Sequence, residues 1–331
     1  MIITKTPYRI SFFGGGTDLN QWFKKNGGSV LSTSIDKYCY ITCRYLPKFF
    51  EHNYRFVYSQ IEDVKEIADI KHPAIKGILQ YLKLNEGIEL HHDGDLPARS
   101  GLGSSSSFTV GLLNTIYALR GKHISKFDLA TMAIHIEQDV LKENVGCQDQ
   151  VAAAYGGFNR IDFFDENSFT VTPIIIAKNR IDQLQDNLLL FFTGISRFAS
   201  EIEKSKIENF ESKKTELRKM QDMVPASIQI LSDFDRSLDD FGSLLNEGWE
   251  YKKSLSSKVS NSDIDEIYLK AIRAGAIGGK LLGAGGGGFI LFYAPKEKHE
   301  AIKQKLNHLI HVPFRFENGG STVALYQPNG L

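Results

Sequence analysis

Cysteine is nearly absent, with three residues in a chain of 331. Cys39 and Cys43 are four apart in a run with strand character, roughly 13 Å along an extended chain, too far for a disulfide. Cys147 stands alone in Gly146-Cys147-Gln148-Asp149-Gln150, with no evident base beside it, and reads as a small buried hydrophobe. So sparse and odd a set excludes a secreted disulfide scaffold and points to a reducing, cytoplasmic compartment. Net charge is absent as well. Lysine and arginine total 39, as do aspartate and glutamate, so no field of one sign attracts nucleic acid. Met1-Ile2-Ile3-Thr4-Lys5 leads straight to Pro7 and the first glycines, and no signal peptide is expected. The longest apolar runs, 188–192 and 289–294, fall far short of the roughly 20 residues of a membrane span, so no membrane partner is expected. There is no repeat and no low-complexity tract, and no feature sets an oligomeric state.

What is present is an ordinary globular composition, 42% apolar and 24% charged, in a chain long enough for about two domains. The first 60 residues read mostly as strands, notably 38–45 and 55–58, rich in aromatic and β-branched residues. Helices are predicted over 73–84, 104–119 and from about 125 to 142, the last opened by Asp128 as a cap. Gly156-Gly157 returns the chain to a strand over 158–164. In the second half, 188–192 reads as a buried strand. The charged stretch 200–260 reads as helical, with Met220, Met223, Ile228 and Leu231 as core. A helix over 264–282, a strand over 289–293, a helix over 296–310 and a last strand over 322–326 follow. Pro173 and the polar stretch 178–186 suggest a boundary, giving domains 1–178 and 179–331. Both halves mix strands and helices without regular βαβ alternation, which predicts an α+β fold.

Of 29 glycines, 13 fall in three short stretches, and these carry the chemical signal. The strongest is Pro97-Ala98-Arg99-Ser100-Gly101-Leu102-Gly103-Ser104-Ser105-Ser106-Ser107, with a helix directly behind it. A glycine turn feeding a helix N-terminus presents free N–H groups and the positive end of the helix dipole, which suits a phosphate chain. A single serine would suffice to cap the helix, whereas four supply hydroxyl donors and an oxygen ligand for Mg²⁺. A Walker A loop is excluded because Gly279-Lys280 is followed by leucine and preceded by Ala274 at the required glycine. Gly283-Ala284-Gly285-Gly286-Gly287-Gly288 matches G-x-G-x-x-G. However, it is predicted to follow a helix and precede a strand, the reverse of the dinucleotide-binding order.

Pro7-Tyr8-Arg9-Ile10-Ser11-Phe12-Phe13-Gly14-Gly15-Gly16-Thr17-Asp18 brings a permanent cation on a strand to a glycine turn and an acid. Arg9 suits the charge of a transferring phosphoryl group. Asp18 could accept from two sugar hydroxyls, or merely cap the helix behind it. Glu137 and Asp149 add the oxygen ligand and proton acceptor that a metal-bound triphosphate calls for. The nine histidines show no metal-binding spacing.

These three stretches, in this order, resemble the GHMP kinases, the superfamily of galactokinase, homoserine kinase and mevalonate kinase. The resemblance implies an N-terminal domain like ribosomal protein S5 domain 2 and a ferredoxin-like C-terminal domain, with ATP and substrate in the cleft between them. The opening motif, Gln148-Asp149-Gln150 with Tyr155-Gly156-Gly157, and Thr193-Gly194-Ile195-Ser196-Arg197 are similar to the branch of D-glycero-D-manno-heptose 7-phosphate kinases. Galactokinases carry Gly-Glu-His-Thr-Asp where this chain has Gly15-Gly16-Thr17-Asp18, which argues against galactose. The resemblance implies transfer of the ATP γ-phosphate to the anomeric hydroxyl of a heptose 7-phosphate. Asp149 and Arg9 would be catalytic, with Ser105 and Glu137 on Mg²⁺. Gly101, Leu102, Gly103 and Ser104 to Ser107 would hold the phosphates. Gly15, Gly16, Thr17, Asp18, Gly285, Gly286 and Arg197 would meet the substrate, and Lys37 is a second choice for its 7-phosphate. Two readings stay open beside it: a fucokinase-like kinase of an unphosphorylated sugar, and a sugar and ATP sensor without turnover. Intact Arg9, Glu137 and Asp149 speak against the sensor.

Overall fold

The computed structural model describes residues 1–98, 100–165, 168–195 and 199–328. The chain runs β1 (Ile2–Phe13), α1 (Asn20–Asn26), β2 (Gly28–Tyr45), β3 (Tyr54–Val57), β4 (Ile61–Val64), α2 (Pro73–Tyr81), β5 (Ile88–Gly94), α3 (Ser104–Leu119) and α4 (Lys126–His135). A π-helical segment over Ile136–Val140 continues α4. Then come α5 (Gln148–Tyr155), β6 (Phe158–Asp165), β7 (Ser168–Pro173), α6 (Lys178–Asp186), β8 (Leu188–Phe192), α7 (Ala199–Glu208), α8 (Lys214–Ser232) and α9 (Asp239–Ser254). The chain closes with α10 (Ser262–Arg273), β9 (Gly278–Leu281), β10 (Phe289–Tyr293), α11 (His299–Lys305), β11 (Ile310–His311), β12 (Phe316–Glu317) and β13 (Thr322–Tyr326). This is the α+β architecture the sequence predicts.

Two sheets organise it. The larger, of nine strands among the described residues, runs β13-β1-β2-β5-β3-β4, with β6, β7 and β12 attached along β2 and β6. β3 lies parallel to β5, and the other pairs are antiparallel. The smaller sheet runs β11-β8-β10-β9, all antiparallel. A cut at 178/179 does not describe this arrangement, because β12 and β13 return to the first sheet and pair with β2 and β1. The chain therefore crosses between the two bodies twice.

α3 is the central element of the first body. Phe108, Leu112, Ile116 and Leu119 are buried on one face, and Val110 and Leu113 are buried as well, so the helix is packed all round. Ser125 caps α4, accepting from the Asp128 N–H at 3.1 Å, so the predicted cap Asp128 sits inside the first turn. At the junction of the bodies, Phe12 and Phe13 from β1 meet Phe241 from α9 edge-on, with ring centroids 5.4 and 5.1 Å away. Phe241 is fully buried, so truncating it to alanine is expected to cost ~3–5 kcal/mol.

The second body departs from the sequence reading in one place that matters. The predicted helix over 264–282 stops at Arg273, and 278–281 is a strand. Gly275 has φ +110° and cannot continue the helix. The glycine run 283–288 therefore joins two antiparallel strands rather than a helix and a strand. The predicted helical stretch 200–260 divides into α7, α8 and α9, with Met220, Met223 and Leu231 buried as expected and Ile228 half-buried. The helix predicted over 296–310 is reduced to a short 3₁₀ turn and α11.

Candidate active site

Two bodies meet in one cleft. The first contributes β1, the 101–103 turn with the first turn of α3, and the start of α5; the second contributes α7, α9, β9 and the 282–287 loop. The glycines let the walls touch: a Cβ on Gly283 would lie 2.5 Å from the Gly101 Cα. No side chain fits that crossing, so the serine loop and the poly-glycine turn are in backbone contact. The Phe289 N–H donates to the Ser100 carbonyl at 3.0 Å and reinforces it.

Arg9 is almost fully buried and engages all three guanidinium nitrogens through three of its five N–H donors. Nε donates to Asp149 Oδ1 and Nη2 to Asp149 Oδ2, both at 2.7 Å, while Nη1 donates to the Gly101 carbonyl at 2.8 Å. The strand, the phosphate loop and the first turn of α5 are thereby pinned together. Asp149 keeps a further lone pair on each oxygen, and Gly103 lies directly beside it, its missing Cβ 3.4 Å from Oδ2. Asp18 is buried with its carboxylate bonded to the Gly16 N–H at 2.8 Å. It does not cap α1, which begins after Leu19 without a side-chain cap; its Oδ2 accepts instead from the Gln148 N–H at 3.4 Å, at the start of α5. Burial first, and the Asp149 charge second, push its pKa up to about 6. Glu137, on the π-helical segment, takes bonds on Oε2 from the Ser106 hydroxyl at 2.8 Å and from the Gln150 amide. Its Oε1 has no partner among the described residues. Burial pushes its pKa up to about 7.

Residues 70–157 match the GHMP kinases N terminal domain and residues 225–311 the GHMP kinases C terminal domain. The chain is 33% identical over 317 residues to the D-glycero-alpha-D-manno-heptose 7-phosphate kinase of Campylobacter jejuni, covering 91% of this chain and 92% of that one. This chain belongs to the GHMP kinases. It is also 23% identical over 328 residues to the bifunctional fucokinase/GDP-fucose pyrophosphorylase of Arabidopsis thaliana, covering 91% of this chain and 30% of that one. Among solved structures, a D-glycero-D-manno-heptose 1-phosphate kinase from Bacteroides thetaiotaomicron superposes with a TM-score of 0.80 at 24% identity, over 99% of this chain and 100% of that one. The chain is thus a phosphotransferase acting on a sugar hydroxyl with ATP as donor.

Within this GHMP kinase the predicted residues divide. Arg9, Gly15, Gly16, Asp18, Gly101, Gly103, Ser104, Ser105, Ser106, Asp149 and Gly285 line the cleft. Ser107 does not: it is buried, and its hydroxyl donates to the Pro7 carbonyl at 2.9 Å. Leu102 is core, and only its carbonyl takes part, accepting from the Arg9 N–H. Thr17 is buried, its hydroxyl closing the turn onto Gly14 and Ser29. Gly286 is tied by its N–H to the Val259 carbonyl at 2.8 Å. The serine in contact with Glu137 is Ser106, while Ser105, one position earlier on the helix, is exposed on the cleft. Lys37 lies outside the cleft, bonded to its neighbour Asp36 at 3.3 Å. Arg197 lies outside the described residues.

Sequence reasoning missed Ser11, Gln148, Glu203, Lys206, Lys252 and Lys280, all of which line the cleft. Ser11 Oγ, Gln148 Oε1 and Glu203 Oε2 are buried atoms without a hydrogen-bond partner among the described residues. Buried polar atoms are normally satisfied, so these three fit the hydroxyl groups of a polyol. Cys147 is buried, and burial raises its thiol to about 12, consistent with packing rather than nucleophilic chemistry. No helix among the described residues is long and apolar enough to cross a membrane.

Proposed function

We propose that this GHMP kinase transfers the ATP γ-phosphate to the anomeric hydroxyl of D-glycero-D-manno-heptose 7-phosphate, giving the 1,7-bisphosphate. The observation that carries the chemistry is the Arg9–Asp149 pair, each bond 2.7 Å, set beside the serine loop. The heptose assignment rests on the 33% identity to the Campylobacter heptose 7-phosphate kinase.

In this reading Gly101, Gly103, Ser104 and Ser105 receive the ATP phosphates at the N-terminus of α3. Asp149 accepts the proton of the sugar O1–H as the new O–P bond forms and the bond to the ADP oxygen breaks, and Arg9 faces the charge of the moving phosphoryl group. Asp18, with Ser11 and Gln148, accepts from or donates to the sugar hydroxyls. The oxygens present would suit a magnesium ion, with Glu137 fully buried behind Ser106 rather than lining the cleft itself. Glu137 Oε1 is buried and unpartnered, Ser105 is open to the cleft, and Ser106 and Gln150 hold the carboxylate in place. Among the described residues no group of three or more His, Cys, Asp or Glu could hold a metal unaided, which suits an ion carried mainly by phosphates. Bound there, the ion would neutralise charge on the phosphate chain.

The test is a panel of free and phosphorylated sugars read by ADP release. Heptose 7-phosphate should exceed heptose, L-fucose and galactose in kcat/KM. A preference for L-fucose would make this a fucokinase-like enzyme with the same phosphoryl-transfer machinery.

A further inference from the structure

The cleft holds more positive charge than the pair at Asp149 uses. Lys206 on α7, Lys252 on α9 and Lys280 on β9 all line it, and each is less than a tenth exposed. Burying an ammonium is costly unless it is paired. Lys206 is paired with Glu203 at 2.7 Å. Lys252 and Lys280 have no carboxylate within ion-pair distance among the described residues. They lean on carbonyls instead: Lys252 donates to Leu281 and Gly283 at 2.7 and 2.6 Å, and Lys280 to Phe12 at 2.7 Å. An ammonium has three N–H donors, so Lys252 keeps one, and Lys280 and Lys206 keep two each. Burial and mutual repulsion with Arg9 and Lys206 lower Lys280 to about 7, and Lys252 is depressed in the same way.

Anchoring loops by their carbonyls does not require three cations from three elements to open onto one cavity. It also leaves unexplained why two amines that burial drives toward the neutral form open onto the cavity, with up to five N–H donors unspent among the three lysines. A bound dianion would take those donors and hold the lysines protonated.

We propose that Lys206, Lys252 and Lys280 form the subsite for the second phosphate of the substrate, the one that is not transferred. The inference rests on the sugar-phosphate reading above. All three lysines belong to the second body, while Arg9, Asp18 and Asp149 belong to the first. A sugar phosphate would then span the cleft, with its reacting hydroxyl at Asp149 and its far phosphate against the lysines. Glu203, bonded to Lys206 through Oε1 and unpartnered at Oε2, would accept from a hydroxyl between them.

The experiment compares kcat/KM for heptose 7-phosphate with that for unphosphorylated heptose, in the wild type and in Lys206→Met, Lys252→Met and Lys280→Met. Wild type should favour the phosphorylated sugar. Each variant should lose ~10- to 100-fold of that preference, the range for a lost charged hydrogen bond, through KM for the sugar phosphate and with KM for ATP unchanged. Lys252→Met and Lys280→Met also release loop carbonyls and are checked by thermal melting. Lys206→Met breaks only a side-chain pair and decides the matter if the other two do not fold. If the variants keep the wild-type preference, or if KM for ATP rises instead, the lysine assignment falls while the substrate reading stands. If wild type favours the unphosphorylated sugar, the substrate reading itself falls.

Discussion

The Arg9 guanidinium grips both carboxylate oxygens of Asp149, each at 2.7 Å, across 140 residues of sequence. The fork fixes the plane of the carboxylate and aims its remaining lone pairs into the cleft. Asp149→Asn preserves the shape and removes the charge. We expect kcat to fall by ~10²–10⁴, the range for general acid–base work, with little change in ATP affinity measured by equilibrium binding. A near wild-type kcat would mean that no proton acceptor is needed at this position.

The metal assignment predicts a change in cation dependence rather than in sugar binding. Glu137→Gln and Ser105→Ala should each raise the Mg²⁺ concentration for half-maximal rate. Ser106→Ala should raise it too, because the Ser106 hydroxyl orients Glu137 at 2.8 Å. A titration of rate against Mg²⁺ at fixed ATP reads this directly. Unchanged midpoints in Ser105→Ala and Glu137→Gln would remove both from the metal shell.

Gly146 stands against the Asp18 carboxylate, where a Cβ would fall 1.8 Å from Oδ2. Gly146→Ala must therefore displace Asp18. Misplacing a binding group by about 1 Å can cost on the order of 100-fold. We expect a loss of that size in kcat/KM for the sugar, with KM for ATP retained. Equal losses toward both substrates would point to disruption of the fold instead.

Asp18 also gives a pH signature. Its carboxyl titrates near 3.8 when unperturbed and is raised to about 6 in the folded, ligand-free protein. The folded state holds this proton more tightly, so its contribution to stability is present below about pH 4 and is lost as pH rises through about 6. Asp18→Asn removes that term. The melting temperature of wild type minus that of Asp18→Asn should therefore fall between pH 4 and pH 7. A difference that stays flat or rises with pH would contradict the burial of a charged Asp18.

How much of this was legible in the sequence depended on locality. The serine loop was, because two glycines, four serines and an apolar helical stretch are adjacent, and α3 begins at Ser104 as expected. Arg9 and Asp149 could each be singled out in its own motif, but their pairing could not, since nothing local says that a strand arginine meets an acid 140 residues away. The strand Gly278–Leu281 was missed because its glycines and apolar residues extend the pattern of the helix before them. It is a strand because it pairs with β10 and packs against α9. Lys206 and Lys252 were missed for a related reason. A lysine in a charged amphipathic helix reads as solvated, and only packing against segments distant in sequence buries it, as Lys252 is buried against the Leu281 and Gly283 carbonyls.

The most direct test of the account is the structure of the product. Heptose 7-phosphate, ATP and Mg²⁺ are incubated with the enzyme, and the sugar is analysed by ³¹P and ¹H NMR. The account predicts two phosphate resonances on the sugar, one retained at C7 and a new one coupled to the anomeric proton. A new phosphate coupled to any other ring proton, or no transfer to the phosphorylated sugar at all, would contradict it.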